Sequence, residues 1–281
     1  MYGGWRAPKN LWTGMKTSIH DDNTAKSVGM RGGTITGTTH ISMFAPLMLE
    51  IFGDRWFEKG NLSMYYTFAT THLEEVRAVV KIPPEDSKDV QVEARVEMKD
   101  GQVVETGTVA VGEPEEQSYI QALELKNSKP EELRILSSYK VGNELQSKDW
   151  LLTQEDVDKG LIGITDHLNY YKGKSPWGKS ILSPSAMFGV MALGSDRLDT
   201  ERDKGVPFFG ATEIRNINGP VLVGVPYKVT GKIVCVGVSR KTEYYWHDSF
   251  INEKESGKLV ASMRHLNRFM KAGSPLYKDN E

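Results

Sequence analysis

Cysteine is nearly absent from this chain: Cys235 is the only one in 281 residues. A lone thiol excludes an intramolecular disulfide framework and any zinc site built from several cysteines. Positive charge is not in excess either. Lys and Arg number 35 against 37 Asp and Glu, a formal net charge of -2. A protein that neutralises nucleic-acid phosphates irrespective of sequence is therefore not expected. No apolar run approaches the roughly 20 residues that span a bilayer. The opening segment, residues 1–10, lacks a basic stretch followed by an apolar one, so no secretory signal is expected. No Walker loop, no Gly-x-Gly-x-x-Gly after a strand and no Gly-x-Ser-x-Gly elbow occurs. His20 and Asp22 are two residues apart, but no third metal ligand can be assigned to them. The expectation is a soluble cytoplasmic protein with no cofactor, no metal, no nucleic acid and no membrane partner.

What is present is enough apolar residue for a core, 39% against 26% charged. At about 150 residues per domain the length suggests two domains or one large one. Ile41, Phe44, Met48, Ile51 and Phe52 recur at helical spacing over residues 38–52, and Leu47 and Leu49 widen the apolar surface to most of the circumference. A helix apolar nearly all round is a buried one. Pro46 inside it implies a kink or a late start. Strand-like runs follow at 62–70, 75–82, 90–98 and 102–111. In the third, Val90, Val92, Ala94, Val96 and Met98 alternate with polar residues, the pattern of a half-buried antiparallel strand. Asp100-Gly101 between the third and fourth reads as a hairpin turn.

Residues 113–135 are polar and Pro-containing, the best linker candidate. Beyond it the same order returns. Thr153 to Asp158 has a helix-start pattern. A Gly- and Pro-bearing loop follows at 166–179, then a second compact apolar segment at 183–193, then strands at 210–217, 221–238, 242–251 and 258–269. The two apolar segments begin about 145 residues apart, too long a period for a solenoid. The reading is an α+β chain of two similar units, residues 1–125 and 126–281.

One buried helix wrapped by an antiparallel sheet is the hotdog order. The residues before the first helix narrow it. Ser18-Ile-His-Asp-Asp22, then Ala25, then Gly29 to Gly37 resembles the hydratase motif of the MaoC-like dehydratases, Asp-x-Asn-Pro-x-His-x-Asp-x-x-x-Ala with a glycine opening the buried helix. His20 matches the motif histidine, Asp22 the aspartate two residues on and Gly37 the helix-start glycine. Met15 stands where the family has its catalytic Asp, and Thr17 where it has Asn. In the second half Asp166 falls at the Asp position and Tyr171 at the His position, so each half keeps one member of the dyad. The resemblance implies a tandem, double hotdog whose units share a continuous sheet. It also implies a hydro-lyase acting on an acyl thioester, acyl-CoA being one form. The departures keep a related lyase, isomerase or thioesterase open, and so is a non-catalytic binder that keeps the pocket. Further homo-oligomerisation stays open too.

A hydro-lyase moves protons at the α-carbon and the β-oxygen and must stabilise an enolate-like thioester oxygen. A histidine titrating near neutrality suits the first task, and amides at a helix start suit the second. His20 with the Gly37-Thr38 amides fits both; alternatively His20 only organises a turn beside two acids. Asp21 or Asp22 would orient the imidazole or cap the loop. Arg31 to Gly33 would meet an anion or form a plain turn. His40, one turn into the helix, reads as a substrate-facing or a hydrogen-bonded core residue, and Glu50 as a solvated helix end. Asp166, Tyr171 and Trp177 are the candidates of the second half, against a polar loop with aromatic packing. The ligand is expected between the units, with its polar end at Gly37 and its tail against Met43, Phe44, Met48, Met187 and Met191.

Overall fold

The computed structural model describes residues 1–85, 87–194 and 201–277. Nine strands form one antiparallel sheet: β1 Gly60–Tyr66, β2 Val76–Val80, β3 Val90–Met98, β4 Val103–Val111, β5 Glu144–Leu151, β6 Pro207–Asn216, β7 Pro226–Val238, β8 Thr242–Glu253 and β9 Leu259–Met270. Their order is β2-β3-β4-β1-β6-β9-β8-β7-β5. Strands from residues 60–111 therefore occupy one end and strands from residues 144–270 the other. They join where β1 pairs with β6, Leu62 opposite Ile214.

The alternation read from residues 90–98 is β3, and its apolar phase faces the core. The first strand is shorter than its apolar run. Thr67 and Phe68 both donate to the Val104 carbonyl, at 2.9 and 3.1 Å. That shared acceptor ends the ladder, so residues 67–70 leave the sheet as a separate wall.

The helix expected over 38–52 is divided into α2, Gly37–Ile41, and α3, Phe44–Phe52. Pro46 has no N–H to give to the Ser42 carbonyl, and as the third residue of α3 it sits where a helix tolerates it. A shorter helix, α4, follows at Arg55–Lys59. At the break, the buried Ser42 hydroxyl accepts from the Ser185 amide at 3.0 Å. Ser185 lies in α6, Pro184–Met191, so this bond ties the two apolar helices together. Both pack on the same face of the sheet, where Phe44, Met48, Met64, Ile181, Met191 and Ile214 belong to one core cluster.

The segment expected as a linker crosses the opposite face. Ile120 is fully buried against Ala211, Cys235, Trp246 and Leu266, and its amide donates to Ser63 Oγ at 2.9 Å. The first residues are also anchored, since Tyr2 and Arg6 bridge to Val79 and Val76 of β2. The α5 helix, Gln154–Leu161, begins where the capping pattern put it, with Thr153 and Asp156 exchanging side-chain to backbone bonds. Among the described residues no helix is long and apolar enough to cross a membrane.

Candidate active site

A cavity of about 800 Å³ opens between the two ends of the sheet. One wall is residues 34–40 with Tyr66 to Thr70 and Glu105. The opposite wall comes from the end of α5, from α6 and from the start of β6, with Phe188, Gly189, Phe208 and Phe209 in it. His20 lines it as well.

His20 is placed by its own loop. Its carbonyl accepts from Asn10 Nδ2 at 2.8 Å, and Thr34 N donates to the Ile19 carbonyl at 2.9 Å. A Cβ on Gly33 would lie 2.4 Å from the His20 carbonyl oxygen, so only glycine fits there. The neighbouring acids hold this loop. Asp21 accepts from Thr24 N at 2.9 Å and caps helix α1, Asp22–Ser27. Asp22 Oδ1 accepts from Gly33 N at 2.6 Å. Both carboxylates are engaged with backbone, and among the described residues none bonds the His20 ring.

Its partner is a carbonyl: Nδ1 lies 2.7 Å from the Thr34 oxygen. A carbonyl only accepts, so Nδ1 carries the proton and Nε2 keeps the lone pair. Burial lowers the His20 pKa, outweighing that hydrogen bond, and Arg202 nearby lowers it further. The ring is thus neutral near pH 7, with an unshared lone pair on Nε2.

Gly37 opens α2, and a Cβ there would press to 2.9 Å from the Tyr66 ring. Thr36, the N-cap, makes no side-chain cap bond. Thr39 N donates to the Thr36 carbonyl at 2.9 Å, whereas the Gly37 and Thr38 amides have no protein acceptor among the described residues. Both residues line the cavity.

One turn further in, His40 Nδ1 lies 3.2 Å from Glu105 Oε1, and Nε2 lies 3.2 Å from Thr70 Oγ1. Both members of the pair are almost fully buried. Burial raises the Glu105 pKa against the opposing pull of His40. Tyr66, opposite Glu105 across β1 and β4, donates instead to Thr212 Oγ1 at 2.7 Å. Its phenol is pushed up by burial and by the nearby Glu105 charge.

The second-half candidates lie elsewhere. Asp166 Oδ1 takes both Nε and Nη2 of Arg6, at 3.0 and 2.8 Å. Trp177 Nε1 donates to Glu58 Oε1 at 3.0 Å, and its ring meets Phe57 and Tyr170 edge-on. Tyr171 is fully buried. None of the three lines the cavity. Arg31 forks onto Glu74, with both contacts at 2.8 Å, and Glu50 is exposed. The expectation that methionines line the ligand's tail is overturned. Met43, Phe44, Met48, Met187 and Met191 are buried in the core; α6 instead turns Ser185, Phe188 and Gly189 to the cavity. With 3.6 residues per turn, 185, 188 and 189 share one face and 187 and 191 the other.

Glu105 escaped the sequence reading, though a signal existed. Val103, Glu105, Gly107, Val109 and Val111 share one face of β4, so an acid stands in an apolar phase. Thr70, Tyr66, Phe188 and Phe209 carry no comparable mark.

No protein-family model matches the sequence, and no curated protein matches it. Among solved structures the chain is similar to a protein assigned as a MaoC-domain dehydratase from Chloroflexus aurantiacus. Identity is 9%, covering 96% of this chain and 94% of that one, with a TM-score of 0.60. It is also similar to a conserved hypothetical protein from Mycobacterium tuberculosis with a double hotdog fold, at 12% identity over 89% and 86% of the chains and a TM-score of 0.53. At such identities the likeness is one of fold, and that fold is the double hotdog.

Proposed function

We propose that this double hotdog is a hydro-lyase that adds or removes water at the α,β-bond of an acyl thioester, with residues 1–125 and 126–281 as its two units. The observation that carries the reading is His20 on the cavity wall: a neutral imidazole whose Nδ1 is held by the Thr34 carbonyl and whose Nε2 has no hydrogen-bond partner among the described residues. A base with a pKa near or below neutrality is ready to accept a proton at pH 7. In dehydration Nε2 takes the α-proton. Negative charge then builds on the thioester oxygen, and the open Gly37 and Thr38 amides are donors suited to meet it. The acyl tail runs toward Phe188, Phe208 and Phe209 on the opposite wall; an apolar pocket with few polar groups at one end suits such a ligand. The hydroxyl that departs also needs a proton, and His20 alone would have to make both transfers.

Turnover of crotonyl-CoA and 3-hydroxybutyryl-CoA, followed by absorbance of the enoyl thioester, tests the reading. His20→Ala is expected to lose about 10²- to 10⁴-fold with the fold retained. If the variant keeps more than about a third of wild-type turnover, His20 is a loop residue. A ligand-dependent rise in melting temperature without any turnover makes the chain a binder; at 100 times its Kd a ligand adds about 2.7 kcal/mol to stability.

A further inference from the structure

The cavity wall holds an acid that the proposed reaction has not used. Glu105 has its two carboxyl oxygens in different circumstances. Oε1 meets His40 Nδ1 at 3.2 Å, while Oε2 is buried with no hydrogen-bond partner among the described residues. The groups that could have satisfied it are engaged otherwise. Tyr66 gives its proton to Thr212, whose Oγ1 lies 2.8 Å from His265 Nδ1. Thr70 faces the far nitrogen of His40. A buried carboxyl oxygen without a partner costs free energy, and native structures keep such atoms mainly where something else comes to meet them. Glu105 is one of the residues that line the cavity.

We infer that Glu105 is the second acid–base group of this site, its Oε2 giving a proton to the departing β-hydroxyl in dehydration and taking one from water in hydration. The inference rests on the hydro-lyase reading. In dehydration His20 Nε2 accepts the α-proton, and the C–H electron pair passes through the enolate to become the new C=C bond. The β C–O bond breaks with its pair going to oxygen, and that oxygen takes the Oε2 proton and leaves as water. The site ends as imidazolium and carboxylate, with no net proton gained or lost, and proton exchange through solvent restores it. Burial holds Glu105 toward its protonated form, as an acid requires. His40 touches Oε1 and not the reacting oxygen, so it is a positioning residue.

Glu105→Gln separates the roles, because an amide keeps the shape and can still meet His40 but cannot act as an acid. The expected result is a native circular dichroism spectrum, a kcat for 3-hydroxybutyryl-CoA lower by about 10²- to 10⁴-fold, and a KM changed by less than about threefold. The wild-type fall in kcat at high pH, where the acid has lost its proton, should vanish in the variant. If Glu105→Gln keeps more than about a third of wild-type kcat, Glu105 only anchors His40 and the inference is overturned. Should that variant not fold, Glu105→Asp replaces it. Withdrawing the acid by one methylene is expected to lower kcat comparably while the high-pH fall persists, and undiminished kcat overturns the inference. Wild-type protein that turns over neither thioester defeats the hydro-lyase reading by itself. Glu105 is then read separately, by difference infrared spectroscopy with 3-hydroxybutyryl-pantetheine. A carboxyl C=O band that shifts on adding the thioester, and is missing from Glu105→Gln, supports ligand contact at Oε2; an unshifted band overturns it.

Discussion

The two apolar helices on the inner face begin in opposite ways. At α6 every early amide is accounted for. Pro184 has none, Ser185 N donates to Ser42 Oγ, Ala186 N to Ser183 Oγ and Met187 N to the Ser183 carbonyl. At α2 the N-cap side chain bonds nothing, and Gly37 and Thr38 face the cavity. The candidate polar groups of the two halves divide in the same manner. Asp166 is closed onto Arg6 and Trp177 onto Glu58, while His20 Nε2 and Glu105 Oε2 have no hydrogen-bond partner among the described residues. The same architecture thus holds one satisfied helix start and one unsatisfied one. Satisfaction contributes stability; open donors and lone pairs are what a ligand can use.

The comparison can be broken most severely at His40. His40→Leu leaves Glu105 in an apolar wall with neither oxygen bonded. Because burial holds Glu105 toward its neutral form, the expected loss is that of a buried polar group left unsatisfied, about 1–3 kcal/mol, read in urea unfolding monitored by circular dichroism. A loss under about 1 kcal/mol means that the pair is wetter than the structure shows.

Acid should act on both halves through their histidines. His247 is held down to about 4 by burial, and His265 is lowered by burial and by His247 beside it. His20 is lowered as well. All three bind protons more readily unfolded than folded, so stability is complete above the unfolded value near 6.5 and is lost as pH falls toward 4. His247→Gln is expected to flatten that fall, measured as Tm against pH. An unchanged slope removes His247 from the account. In turnover the same lowering at His20 predicts that kcat/KM declines at a lower pH than an ordinary imidazole base would give.

A smaller contrast tests the helix starts directly. Ser183→Ala removes a working cap and should cost about 1 kcal/mol, whereas Thr36→Ala removes none and should stay within about 0.5 kcal/mol. Equal costs in paired denaturation curves would end the distinction drawn between them. The smallest effect is expected at Asp166. Its pair with Arg6 is partly exposed on the arginine side, so Asp166→Asn should cost about 0.2–1 kcal/mol and leave thioester turnover unaltered. A fall in kcat there would bring the second half into the chemistry.

Local chemistry is what the chain displays openly. The period of two over 90–98, the turn at Asp100-Gly101 and the Thr153 cap each depend on neighbours within a few residues, so they can be read without a fold. His20 and Gly37 were legible because a loop motif and a helix start are also local. Pro46 announced a helix break, although its place at Ser42-Met43, where the Ser42 hydroxyl meets Ser185, was decided by the fold. Asp166 looked like the missing half of a dyad, and no local rule could show that Arg6, far off in sequence, would claim it.

Composition and periodicity by themselves determined that this chain is α+β, duplicated in its order and built around two apolar helices, because burial of apolar surface acts through repeating patterns. Only the tertiary structure decided which helix start stayed open, which face of α6 met the cavity and that Glu105 stood beside His40. Those outcomes depend on how strands register and helices rotate against one another, and a polar group's partner is whatever that packing brings within 3 Å or so.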